Sequence, residues 1–292
     1  MDAQTDSKTV TVRRFKAGDI DECAVIGFEA HSAISRRHGF PSEQPSIEFS
    51  SRVLKMKVGD QHASGFVAEQ EGRAVGSVFL NGFPGAGIAA VGPLTVAPGA
   101  AAGVGRRLLE RALQEASAQG TASVRLVQSP AHFGSLALYA KLGFDVREPL
   151  VLVSDVPVGG TSAARTRPAT AAEIPSCLEL SQALAGVARE YELEQAIAQN
   201  VATVVAEGGA ISGYSTGIGL RGHSVARSNT DMQALIAGTP RLPGPGFFVP
   251  IRNTDLLRWL LQCGAKMQWP AHLMSVGSYT EPRGAYLPSI AF

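Results

Sequence analysis

Three blocks of this chain occur twice. Arg167-Pro-Ala-Thr-Ala-Ala-Glu-Ile-Pro-Ser-Cys177 lies on Arg13-Arg-Phe-Lys-Ala-Gly-Asp-Ile-Asp-Glu-Cys23 without a gap, 154 residues on. Ala206-Glu-Gly-Gly-Ala-Ile-Ser-Gly213 lies on Glu69-Gln-Glu-Gly-Arg-Ala-Val-Gly76 at an offset of 137, and residues 248–264 lie on residues 127–143 at 121. The order of the blocks is kept while the offset shrinks, so the second copy has lost about 33 residues in two places. A repeat this long is a duplicated folding unit, and it limits the chain to architectures built twice. The 292 residues are enough for two cores. Residues 154–164, rich in Gly, Ser, Pro and Val, have the composition of a linker. The expected domains are therefore residues 1–154 and 165–292, with the linker at about 155–164.

Within the first copy, periodicity predicts strands at residues 10–15, 65–69, 74–81, 88–96, 123–128 and 144–153. It predicts helices at residues 20–36, 48–58, after Gly105, and 133–142. Gln70-Glu-Gly72 reads as a hairpin turn, and residues 83–87 as a loop. Leu108, Leu109, Ala112, Leu113 and Ala116 mark one face of the helix after Gly105, and Gly120 ends it. The fold class is mixed α/β (α+β).

The most informative local feature is Ala100-Ala-Ala-Gly-Val-Gly105, between a strand and a helix and followed by Arg106 and Arg107. A helix start leaves backbone N–H groups without intrahelical partners and carries partial positive charge. Glycines there let a ligand approach the backbone, which suits a phosphate or pyrophosphate. The chain holds no Walker loop or His-Glu-x-x-His motif. Three scattered cysteines, Cys23, Cys177 and Cys263, lack zinc-site spacing and fit reduced thiols in a cytoplasm. A net charge of +1 argues against broad nucleic-acid binding. No apolar run reaches the length of a membrane helix, and residues 1–8 lack the apolar stretch of a signal peptide.

The glycine loop and the later Leu138-Tyr-Ala-Lys-Leu-Gly-Phe144, at this separation and in this strand order, resemble the GNAT (Gcn5-related N-acetyltransferase) superfamily over about residues 10–153. The second half resembles a degenerate GNAT repeat, as in tandem-GNAT proteins. The resemblance implies two units, each a mainly antiparallel mixed sheet with a central splayed parallel strand pair and flanking helices. It implies acetyl-CoA, or another acyl-CoA, as co-substrate, with no metal. Leu94, Thr95 and Val96 would offer backbone hydrogen bonds to pantetheine, and Ala102, Gly103, Val104, Gly105, Arg106 and Arg107 would cradle the pyrophosphate. Tyr139 matches the family's proton donor; a register with Leu138 and Leu142 inward would set it beside the cleft.

Two departures stand out. Ala100 occupies a loop position that is Gln or Arg in the family, and His132 stands seven residues before the tyrosine where the family has Asn. In the second copy Asn253 takes that place, but Leu260 replaces the tyrosine and no Gly-x-Gly loop precedes it, so only the first copy is the expected acyl-CoA binder. Residues 88–96 contain no carboxylate to act as general base. His38 is the candidate chosen, because histidine titrates near neutrality; Glu29, His31 and residues of the second copy, His223 among them, stay open. Arg36 and Arg37 are either acceptor contacts or a solvated helix end. The expected activity is acetyl transfer to the amine of a small molecule, against a GNAT-fold binding or structural module without turnover and a protein N-acetyltransferase. Nucleic acid and membrane are not expected partners, and a homodimer is compatible with the sequence.

Overall fold

The computed structural model describes residues 9–156, 165–240 and 242–291. Most of the expected linker and the first eight residues lie outside them. The chain forms two compact units: Met1–Gly82 with Ala89–Val124 and Ala131–Leu142, and Phe83–Ile88 with Arg125–Pro130 and Gly143–Phe292. No helix among the described residues is long and apolar enough to cross a membrane.

The first unit starts with strand β1 (Val10–Arg14), a single 3-10 turn (Ala17–Asp19), and helices α1 (Ile20–His38) and α2 (Ile47–Gly59). The meander β2 (Ala63–Gln70), β3 (Arg73–Phe83) and β4 (Ile88–Val96) follows, then α3 (Val104–Ala118), the start of β5 (Ser123–Gln128), and α4 (Phe133–Lys141). The strand order is β1-β2-β3-β4-β5. β2 pairs antiparallel with both β1 and β3. One face of this sheet buries Val67 and Phe79 against Ile20, Cys23 and Ala24 of α1 and Leu54 of α2. On β2 the side chains alternate in direction, so Phe66 packs on the other side, under the guanidinium groups of Arg14 and Arg111 at 4.8 and 4.2 Å from its ring. The helices fall within two residues of the sequence expectation at each end, because caps and periodicity agree. Gly39, at φ 73°, stops α1 and accepts the left-handed conformation that a larger residue resists.

The second unit contains β6 (Asp145–Ser154), β7 (Thr166–Pro168), a 3-10 turn (Ala171–Glu173), α5 (Ile174–Ala185), α6 (Glu190–Ala198), β8 (Thr203–Glu207) and β9 (Ala210–Ser215). Then come β10 (Ser224–Ala226), α7 (Asn229–Ala237), β11 (Phe247–Pro250), α8 (Thr254–Gln262), β12 (Lys266–Gly277) and β13 (Ala285–Leu287). One sheet runs β13-β10-β9-β8-β7, and in the other β12 lies between β5 and β6, with β11 on the far side of β6. Its core gathers Val153 of β6, Leu235 and Ile236 of α7, Phe247 and Val249 of β11, and Leu256 and Leu260 of α8.

The duplication is visible atom by atom. Arg13 makes a two-pronged ion pair with Asp19, both contacts 2.8 Å, and Arg167 repeats it with Glu173 at 2.9 and 2.5 Å. The register shift between Ala68 and Glu69 on β2 recurs between Val205 and Ala206 on β8. Helices α4 and α8 both have nine residues and start 121 positions apart. These shared irregularities go beyond what a common fold class requires, since a bulge or cap is a local choice.

Candidate functional site

The glycine loop is laid out as a helix entrance. Ala97 leaves β4 with its N–H on Val75 O at 2.9 Å, a turn closes from Ala100 N to Ala97 O at 3.1 Å, and Gly103 becomes the N-cap of α3 at φ 90°. No side chain caps this helix. The N–H of Val104 reaches back to Ala101 O at 3.4 Å, and that of Arg107 bonds to Gly103 O at 3.0 Å. The amides of Gly105 and Arg106 belong to the first turn, where no intrahelical carbonyl is available. Ala102 and Gly103 are exposed, while Val104 is buried and anchors the turn. A methyl group on Gly105 would lie 3.4 Å from Leu138 and 3.5 Å from Val96, so β4, α3 and α4 converge at this residue.

The two arginines are engaged within the fold. Arg106 Nε donates to Glu110 Oε1 at 2.7 Å, and Arg107 Nη1 donates to Val10 O at 2.9 Å. Thr95 is buried with its Oγ1 3.3 Å from Ser77 Oγ, whereas Leu94 and Val96 are half-buried. The buried Asn81 side chain donates to Ala90 O and Gly92 O, both at 3.1 Å, and so braces β4 just before these residues.

A second group of residues gathers around α4. His132 is its N-cap, and the His132 Nδ1 contacts Ser135 Oγ. Ser135 in turn hydrogen-bonds Tyr139. The spacing of three and four residues puts all three side chains on one face of the helix. Tyr139, 8% exposed, is the buried residue of α4, and Leu138 and Leu142 are only half-buried. The expected register is thus rotated: in so short and apolar a helix the row carrying Ser135 and Tyr139 turns inward. Burial pushes the phenol up to about 12, with the Ser135 hydrogen bond pulling against it and Glu43 adding to it. Tyr139 therefore keeps its proton at neutral pH. Burial, then the fields of His31, His38 and Arg37, holds His132 below the usual imidazole range.

His38 ends α1, half-buried, with its ring edge-on to Phe133 at 6.5 Å and 84°. Phe133 itself is 71% exposed, unusual for an aromatic side chain at a helix start. His31 Nδ1 lies 2.9 Å from Gly27 O, so that nitrogen carries the proton, and its Nε2 is 3.8 Å from Glu43 Oε2. The structure thus brings His31, His38, His132 and Tyr139 into one electrostatic neighbourhood, with Glu43 beside it. Glu29, Arg36 and Arg37 are exposed. Ser135 and Glu43 were missed by sequence reasoning. Ser135 carried a signal, its helical spacing from His132 and Tyr139; Glu43 sits in an irregular segment and carried none.

His223 belongs to the second unit. It is buried between Tyr214 Oη at 2.9 Å from Nε2 and Glu192 Oε1 at 3.2 Å from Nδ1. Arg189 pairs with the same Glu192 at 2.5 Å, so the histidine is held in a closed network. Among the described residues no group of His, Cys, Asp or Glu is arranged to hold a metal ion.

Residues 31–144 match the acetyltransferase (GNAT) family. The fold is similar to that of a putative acetyltransferase from Pyrococcus horikoshii, at 17% identity and a TM-score of 0.67 over 97% of this chain and 94% of that one. It is also similar to a tandem GNAT protein from the clavulanic acid biosynthesis pathway, at 16% identity and a TM-score of 0.54 over 92% and 98% of the two chains. No curated protein shows significant similarity to the sequence.

Proposed function

We propose that this protein, whose residues 31–144 match the acetyltransferase (GNAT) family and whose fold is similar to that of a tandem GNAT protein, is an acyl-CoA-dependent N-acyltransferase. Its simplest reaction is acetyl transfer from acetyl-CoA to the amine of a small molecule. The copies are residues 1–154 and 165–292, and the first does the chemistry. The observation that carries this reading is the uncapped start of α3, with Gly103 exposed in a left-handed conformation and first-turn amides left for a ligand. Residues 102–107 would hold the pyrophosphate through backbone N–H groups, because Arg106 and Arg107 are engaged elsewhere. Leu94, Thr95 and Val96 would pair with the pantetheine arm, and His132 would line it.

Acyl-CoA supplies an activated thioester carbon. The acceptor nitrogen bonds to that carbon as the carbon–sulfur bond breaks, and Tyr139 gives its phenolic proton to the leaving sulfur. The phenol keeps its proton at neutral pH and so has one to give, while burial makes it a weaker acid than a free phenol. His38, beside the exposed Phe133, takes the proton lost by the nitrogen.

Calorimetric titration of the folded protein with acetyl-CoA tests the first half: binding is expected, and a clean null removes the proposal. An acceptor panel read by free-thiol release tests the second half. The competing reading, a GNAT-fold binding module without turnover, draws on the absence of a carboxylate from β4, and predicts acetyl-CoA binding with no thiol release from any amine.

A further inference from the structure

We infer that the second copy's own C-terminal strand takes the strand edge, and an internal carboxylate the helix start, that an acyl-CoA would otherwise use, so that the chain binds one acyl-CoA and not two. The inference rests on the proposed binding mode of the first copy, because it is drawn by transferring those positions to the second.

The transfer is fixed by backbone hydrogen bonds. In the first copy Ala97 N bonds to Val75 O at 2.9 Å; in the second, Arg227 N bonds to Ser212 O at 2.8 Å. Val75 and Ser212 are 137 residues apart, the same spacing that relates the flanking bulges. Gly76 and Gly213 also correspond, each pressed against the end of the next strand. The counterparts of Leu94, Thr95 and Val96 are therefore Ser224, Val225 and Ala226. These three residues are paired, antiparallel, with Leu287, Tyr286 and Ala285 of β13. The edge that a pantetheine arm would use is taken by a peptide strand.

β13 is built in, not draped. All three of its residues are buried, and Ala285 and Leu287 join the core with Val249 of β11. Its flanks are tied by Arg283 N to Leu184 O at 2.6 Å and by Ile290 N to Leu220 O at 2.7 Å. The chain enters through Gly284 at φ 101°, where a methyl group would lie 2.7 Å from Ala226 O. Only glycine permits that approach.

The phosphate position differs as well, at the edge of an open cavity of about 400 Å³ lined by Arg227, Ser228, Asn229 and Asn253. Seven residues separate β4 from α3, but two separate β10 from α7. In place of an open glycine loop, the Ser228 side chain caps α7 by accepting from Asp231 N at 3.1 Å, and its hydroxyl donates to the Asp231 carboxylate at 2.9 Å. Asp231 is buried and paired with Arg165 at 2.8 Å. A fixed negative charge thus sits in the first turn where the first copy leaves room for an external anion. The counterpart of His132, Asn253, is engaged by its own copy: it caps α8 through Leu256 N and exchanges two amide hydrogen bonds with Asn229, at 2.9 and 2.8 Å.

The test is calorimetry and hydrogen exchange on the full chain. Acetyl-CoA is expected to bind at one equivalent per chain, and Gly103→Glu, with unchanged circular dichroism, is expected to lose that binding. Two equivalents, or binding that survives Gly103→Glu, overturns the inference. Exchange read by mass spectrometry adds a measurement that needs no cofactor: the amides of residues 224–226 and 285–287 should exchange slowly without ligand and be unchanged when acetyl-CoA slows residues 94–97 and 103–107. Fast exchange of the β13 segment, or acetyl-CoA protection of residues 224–226, overturns it. A wild-type protein that binds no acetyl-CoA sinks the proposed function instead, and slow exchange of β13 then still supports the occupied strand edge.

Discussion

At the scale of single residues, Tyr139 separates a structural from a chemical role. Its hydroxyl is a small part of a buried ring, and Ser135 retains His132 as a partner if that hydroxyl is removed. Tyr139→Phe should therefore fold normally and bind acetyl-CoA with an affinity within about two-fold of wild type. Its turnover should fall by about 10²-fold or more, the size of a lost general acid. Thiol release measured against calorimetric affinity checks this, and equal turnover in the two proteins would make Tyr139 a packing residue. What the sequence could and could not disclose here has a simple cause. Gly103 was legible as a helix start because it stands just before the amphipathic run of α3. The inward face of α4 was not, because Leu136, Ala137, Leu138 and Tyr139 form an unbroken apolar run with no polar stripe to fix its rotation. The join from His132 through Ser135 to Tyr139 needed that rotation.

At the scale of elements, helix starts carry the difference between the copies. α3 begins at a bare glycine; α7 begins at a serine whose partner carboxylate is already inside the fold. Asp231→Ala should remove a charge-assisted pair with Arg165 and a cap contact, and take from Arg165 and the Ser228 hydroxyl the carboxylate that accepts from both. A loss of about 1–3 kcal/mol is expected, as for caps and buried hydrogen bonds to charged groups, measured by urea denaturation. A change below about 0.5 kcal/mol would mean that Ser228 alone satisfies the helix start. Long elements such as α1, α3 and β4 were readable from periodicity and caps. The three-residue strands β10 and β13 were not, since three residues cannot display a period. Their identity comes from pairing with each other, a long-range contact 61 residues apart in sequence.

At the scale of the whole molecule, the buried groups predict how stability follows pH. Burial lowers His223, with Glu192 pulling the other way and Arg189 adding to the lowering. Burial pushes Glu192 up, but Arg189 and His223 outweigh it and hold the carboxyl below its usual range. A histidine lowered on folding binds fewer protons in the native chain than in the unfolded one below its ordinary value of about 6.5. Stability is then intact above pH 6.5 and falls as pH drops toward the native-state value. The Glu192 contribution has the same sign but begins only below about pH 4.5, where the unfolded carboxylate takes up its proton. Between these limits His132 and His272 contribute in the same direction as His223. Both tryptophans, Trp259 and Trp269, lie in the second unit, which also holds His223 and His272, so fluorescence follows that unit directly. Urea midpoints followed by tryptophan fluorescence should fall from pH 6.5 to pH 5 in the wild type. His223→Gln, which keeps a polar side chain beside Tyr214 and Thr216, should lower the starting stability and flatten the slope, by at most about 1.4 kcal/mol per pH unit for one proton. An unaltered slope would mean that His223 is already protonated within its network at neutral pH, paired with Glu192 as an ion pair.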